Sequence, residues 1–160
     1  MDEDIESKIR RLRMSGLLAN WDEYLRLARQ GSWSHARLLE HVVETEYEIK
    51  EDNSRTLRMK KAKMPEQFVF ETYPFDRQPK LSKRKLANIY DSFDYMEQRR
   101  NIVWIGPTGT GKTGLATSFL VQAIEKGFKG RFVTFPDLVE QLYQSVADHS
   151  EAKLIRRFES

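Results

Sequence analysis

One hundred and sixty residues with 27 Lys and Arg against 24 Asp and Glu carry a formal charge of +3, enough chain for one domain or two small ones. The absence of cysteine excludes a disulfide framework, a thiolate nucleophile and a Cys-based zinc site. A mean hydropathy of −0.66, the lack of an apolar run of about 18 residues and the acidic-then-basic start MDEDIESKIRRLR predict no membrane span, no secretory signal and a cytoplasmic location.

The first predicted element is a helix over 4–29, where Ile5, Ile9 and Leu12 lead into Leu17, Leu18, Trp21, Tyr24, Leu25 and Ala28 at helical spacing. Gly16 is a place where it could divide. After Gly31-Ser32, Ser34 is placed to cap a second helix, because its hydroxyl can accept from a first-turn N–H. That helix carries Leu38, Leu39, Val42, Val43, Tyr47 and Ile49 and runs through Leu57 to about Lys63, where Pro65 ends it.

Residues 66–81 hold Phe68, Phe70, Tyr73 and Phe75 among two prolines and read as an irregular linker with a short strand at most. Burial tendency favours docking of these aromatics on the domain that follows. Stacking on nucleic-acid bases is the alternative, and one of them, or Arg77, could pack beside an adenine. Ser82 then caps a third helix with Leu86, Ile89, Tyr90, Phe93 and Met96 on its apolar face.

Asn101 to Ile105 is a short continuous apolar run, predicted as a buried strand. Residues 112–126 are predicted helical, with Gly127 just past the end. Arg131 to Phe135 is a second predicted strand, Asp137 opens the next helix, and Glu151 to Phe158 forms the last. Asp137 follows a proline and precedes a helical stripe, so it reads as an N-cap rather than a metal carboxylate. His35, His41 and His149 are scattered and form no metal set.

Between the first predicted strand and the helix after it lies Gly106-Pro107-Thr108-Gly109-Thr110-Gly111-Lys112-Thr113, which fits G-x-x-x-x-G-K-[ST] without departure. The glycines let the backbone curl so that successive N–H groups face a phosphate. The helix beginning at Lys112 aims its positive dipole end at the same anion. The Lys112 ammonium is suited to the β- and γ-phosphates and the Thr113 hydroxyl to a Mg²⁺ position. Nucleotide binding is the expectation. Hydrolysis needs a further carboxylate set, and Glu125, Glu140, Asp148, Glu151 and Glu159 all fall on predicted helices.

Positive charge gathers in mid-chain: Lys50, Arg55, Arg58, Lys60, Lys61 and Lys63 against Glu51 and Asp52, then Arg77, Lys80, Lys83, Arg84 and Lys85 with no acid among them from 77 to 85. Such segments suit either a solvated helix face or a phosphate backbone.

The stretches TYPFDRQPKLSKRKL (72–86), NIVWIGPTGTGKTGLATSFLVQAIEKG (101–127) and RFVTFPDLVEQL (131–142) resemble the IstB-like ATP-binding proteins. These are helper ATPases of insertion-sequence transposition, related to DnaC-type helicase loaders. The N-terminal RLRMSGLLANWDEYL and the helix after it resemble the small helical domain that precedes the ATPase core there. The resemblance implies an α/β fold, a partial AAA+-like P-loop NTPase core with a parallel sheet, behind an all-α N-terminal domain. The expected boundaries are 1–65 for the helical interaction domain, 66–81 for the linker and 82–160 for an incomplete core. It also implies ATP with Mg²⁺ as the ligand, ATP-dependent assembly on DNA, a transposase or replicative helicase as partner, and a homo-oligomer when complete. Thr108 and Gly114 stand where the family usually has Pro and His, and both are expected to be tolerated. Residue 160 falls just before the strand that would bear the Walker B acids in that family, so an N-terminal portion or a truncated gene product, unable to hydrolyse ATP alone, is expected. Two strands would form barely half a doubly wound sheet, which implies marginal stability. The alternatives are a helicase-loader ATPase, a small-molecule kinase, for which no acid pair is evident, and a non-catalytic interaction module.

Overall fold

The computed structural model describes residues 1–159. The chain forms two compact units, Met1–Leu57 and Arg58–Ser160, with one long helix running through the boundary.

The first unit is built from α1 (Glu3–Arg11), α2 (Ser15–Gln30) and most of α3 (His35–Lys61). Asp2 caps α1 by accepting from the Asp4 N–H, and acids in the first turn with bases in the last complement the helix dipole. The long predicted helix does divide, but before Gly16. Arg13 takes a left-handed φ of 56° between α1 and α2, and Gly16 lies buried inside α2. Ser34 Oγ accepts from the Arg37 N–H at 3.2 Å, as its position before α3 predicts. Ile9, Tyr24 and Val42 are buried, and His41 meets both Tyr24 and Trp33 edge to face.

The second unit holds two 3₁₀ turns, Phe70–Thr72 and Phe75–Arg77, then α4 (Lys83–Ser92), α5 (Asp94–Glu97), α6 (Lys112–Glu125), α7 (Phe135–Ala147) and α8 (Glu151–Glu159). Ser82 caps α4 through the Lys85 N–H. The third predicted helix stops earlier than its apolar stripe, because Phe93 turns left-handed at φ 58° and only a single turn, α5, follows. Phe70, Tyr73, Leu86, Leu115 and Phe119 form the core, with Tyr90, Tyr95, Ile102 and Trp104 packed against it. The Phe70 ring stacks on Tyr90 at 4.5 Å and meets Phe119 edge to face. The aromatics of 66–81 therefore dock on the helices that follow them.

The expected parallel sheet is absent: among the described residues there is no strand. The α/β, partial P-loop NTPase (AAA+-like) sheet expected from the sequence is thereby corrected to an arrangement of helices and irregular segments. The physical reason lies in where the two apolar runs find partners. Ile102 and Trp104 pack on the core, while Val103 and Ile105 are 75% and 92% exposed. A buried parallel strand needs both faces covered and neighbours for its amides, and 101–105 has one covered face. The second run turns elsewhere, and the Phe132 N–H donates to Ala62 O at 2.7 Å, just past the end of α3. Phe135, read as strand, is the first residue of α7. That helix is capped by Thr134, whose hydroxyl accepts from the Asp137 N–H and donates to the Asp137 carboxylate at 2.6 Å. Asp137 thus answers the cap from the third helical position instead of being the cap itself.

Candidate functional site

The loop at 106–111 leaves the half-covered run 101–105 and enters α6 through Gly111, which occupies the N-cap position. Gly109 and Gly111 take φ of 81° and 77°, left-handed values that cost an L-residue about 1–2 kcal/mol. These two positions bend the chain so that it wraps over the start of the helix. Among the described residues, the N–H groups of Gly109, Thr110, Gly111, Lys112 and Thr113 donate to no protein acceptor. The first turn of α6 contains no acid. Unpaired amides converging at a positive helix end form an anion-binding arrangement.

The predicted site residues lie together on this loop. Gly106, Pro107, Thr108, Gly109 and Gly111 are exposed, Thr110 and Lys112 are half-buried, and Thr113 is exposed in the first turn of α6. The Lys112 ammonium folds back over the loop and donates to Gly106 O at 2.8 Å and Pro107 O at 2.6 Å. The Thr110 hydroxyl donates to Pro107 O at 2.9 Å. The ammonium is thus held in the mouth of the loop, where an incoming phosphate can exchange for the two carbonyls. Among the described residues no group of three His, Cys, Asp or Glu could hold a metal ion. A Mg²⁺ bound at this loop would take the Thr113 hydroxyl together with phosphate oxygens and waters.

Beside the loop is a cavity of about 500 Å³ whose lining includes Glu66, Phe68, Tyr73, Arg77 and Gln78 together with Thr108–Gly114. The sequence offered one of the aromatics, or Arg77, as a neighbour of an adenine; Phe68, Tyr73 and Arg77 line the cavity. Two of its contacts were not legible. The Tyr73 hydroxyl donates to Thr110 O at 2.5 Å. The Phe68 ring lies 3.2–3.3 Å from where a Cβ on Gly114 would stand. The signal that could have found them is the cluster of aromatics ahead of a glycine-rich loop. A larger cavity, about 590 Å³, lies between Lys63 and Arg131 and the α7 residues Asp137 and Glu140. It lies at the side-chain-capped start of α7 and has no glycine-curled loop, which makes it a poorer phosphate seat.

The loop, its free amides and the helix behind it form an arrangement of the class that accepts an anion at a helix N-terminus. The comparisons carry this further. The family model described as IstB-like ATP binding protein matches residues 7–160, and the chain belongs to that family. It is 29% identical over 158 residues to a protein of insertion sequence IS5376 from Geobacillus stearothermophilus, named for ATP binding, with 99% of this chain and 62% of the relative covered. A similarly named insertion-sequence protein of Mycobacterium tuberculosis is 27% identical over 157 residues, with 98% and 62% covered. One from insertion sequence IS232 of Bacillus thuringiensis is 30% identical over 127 residues, covering 79% of this chain and 48% of the relative. The chain therefore spans somewhat less than two thirds of the first two relatives it matches. No helix among the described residues is long and apolar enough to cross a membrane.

Proposed function

We propose that this chain binds ATP at Gly106–Thr113 and serves as an ATP-binding helper of DNA transposition. The observation that carries the reading is the row of unpaired amides from Gly109 to Thr113 at the acid-free N-terminus of α6, in a chain of the IstB-like family. Those amides and the helix end seat the phosphates. The Lys112 ammonium leaves the Gly106 and Pro107 carbonyls for the β- and γ-oxygens. Bound Mg²⁺ would supply charge neutralisation between the phosphates, held on the protein side by Thr113.

The wider role in this reading is cytoplasmic and engages DNA together with a transposase, in an assembly of several subunits. Its support on the DNA side is the exposed series Arg77, Lys80, Lys83, Arg84 and Lys85, interrupted by no carboxylate. Such a series binds phosphate backbones without sequence preference and with affinity that falls steeply as salt rises. The test of nucleotide binding is calorimetric titration with ATP and Mg²⁺. Saturable binding in the wild type, weakened about 10- to 100-fold by Lys112→Ala as a charge-assisted bond is lost, supports the reading. Equal affinity in the two proteins contradicts it. For DNA, fluorescence anisotropy in low salt is decisive, since an absence of binding there removes that part of the proposal.

A further inference from the structure

The nucleotide reading says nothing about what keeps an open glycine-rich loop in its curled form. Three glycines in eight residues give the loop a large choice of conformations, yet only a curl that converges the amides is competent to bind. Tyr73 is placed to make that choice. Its side chain is 5% exposed and belongs to the core with Phe70, Leu86, Leu115 and Phe119. The ring meets Phe75 edge to face at 4.8 Å, which fixes its plane. Its hydroxyl donates to the carbonyl of Thr110, the peptide that links Thr110 to the left-handed Gly111. The ring edge also fills the space beside Gly111, where a Cβ would stand only 2.6 Å from Tyr73 Cε2. One rigid side chain anchored outside the loop therefore fixes the peptide orientation and the glycine at the point where the loop becomes helix.

We infer that Tyr73 is a positioning residue for nucleotide binding: its hydroxyl latches the Thr110–Gly111 peptide and holds the loop amides in their phosphate-binding curl. The inference rests on the nucleotide reading above. It follows from the physics of preorganisation. The apparent affinity of a loop that is competent only part of the time falls by the fraction of time it is competent. Loss of one neutral hydrogen bond shifts such a balance about three- to tenfold. Tyr73 touches no phosphate in this account and acts only through the loop backbone.

The experiment compares wild type, Lys112→Ala, Tyr73→Phe and a chain with p-aminophenylalanine at 73, which restores a donor on the same ring. Each is titrated with ATP and Mg²⁺, melted, and its Gly111 amide resonance recorded. The expected result is an ATP affinity about three- to tenfold weaker in Tyr73→Phe, recovery with p-aminophenylalanine, and a moved Gly111 amide signal in the ligand-free Phe variant. Tight binding lost in Lys112→Ala but unchanged in Tyr73→Phe overturns the latch and leaves the nucleotide reading standing. Wild-type and Lys112→Ala proteins that bind alike, or not at all, overturn both. A Tyr73→Phe protein that loses ATP binding together with its melting transition, without rescue by the amine, marks the hydroxyl as part of the fold and overturns the positioning role.

Discussion

Helices α2 and α6 both begin without a side-chain cap, and they are treated in opposite ways. At α2 the N-cap residue Met14 offers no acceptor, and the chain brings a carboxylate from elsewhere: Glu46 of α3 accepts from the Leu17 N–H at 2.6 Å. Glu46 is 4% exposed, and the bare Cα of Gly16 allows the approach, since a Cβ there would lie 3.1 Å from Glu46 Oε1 and 2.5 Å from Ile49 Cδ1. At α6 the N-cap is Gly111 and the first turn has no acid, so its amides stay open to an outside anion. A helix end filled by an internal carboxylate is a structural joint, whereas one left open and glycine-curled is, in the function proposed above, a binding seat. The first turn of α6 carries no acid of its own, and the one carboxylate in the cavity lining, Glu66, accepts no hydrogen bond from the loop amides.

The comparison can be broken first at its charges. Lys112→Ala should give the largest binding effect, about 10- to 100-fold in ATP affinity, with little change in melting. Glu46→Ala should do the reverse. Removing the buried partner of the Leu17 N–H should cost about 2 kcal/mol of stability and leave ATP affinity unchanged, as thermal melting and calorimetry together would show. Glu46→Gln keeps an acceptor and should cost less. If both variants altered binding and folding alike, the distinction between joint and seat would fail.

Gly111→Ala sharpens the comparison at its next level. The left-handed φ costs about 1–2 kcal/mol in an L-residue, and the added methyl drives into the Tyr73 ring. Weaker ATP binding and a lower melting temperature should appear together. Gly114 gives a smaller effect. A Cβ at Gly114 would stand 3.2–3.3 Å from the Phe68 ring, so Gly114→His should destabilise the wild type. Phe68→Ala should relieve it, with a coupling of about 1 kcal/mol in a double-mutant cycle. Tolerance of His here thus depends on what stands at 68.

The smallest effect concerns pH. Burial, aided by neighbouring Tyr90, pushes the Tyr95 phenol up to about 12, and the neutral hydroxyl lies 3.1 Å from Gln122 Oε1. The fold favours the protonated phenol, so its contribution is complete below about pH 10 and is lost as pH rises through about 12. Tyr95→Phe should flatten the alkaline fall in stability over that window, measured by denaturant titration at stepped pH.

What was legible in the sequence is what local chemistry decides. Ser34 and Ser82 cap the helices they precede because a hydroxyl reaches only the next turn. The Gly106–Thr113 loop is legible because its glycines and its lysine act within eight residues. The illegible parts depend on distant partners. Whether Ile102–Ile105 pairs as a strand is not written in its own apolarity, and here the amide of Phe132 goes to Ala62 instead. The Tyr73 hydroxyl reaches a carbonyl 37 residues away, and no spacing rule announces such a contact. Asp137 was misread for a local reason: a Thr three residues upstream competes for the cap and wins, with Asp137 as its reciprocal partner.

The most direct test of the central claim follows the backbone amides of the ¹⁵N-labelled chain during titration with ATP and Mg²⁺. The account predicts that Gly109, Thr110, Gly111, Lys112 and Thr113 move first and farthest, and that Lys112→Ala abolishes the response. Movement centred on Lys63 and Arg131 with the loop unmoved would place the anion in the other cavity and contradict it.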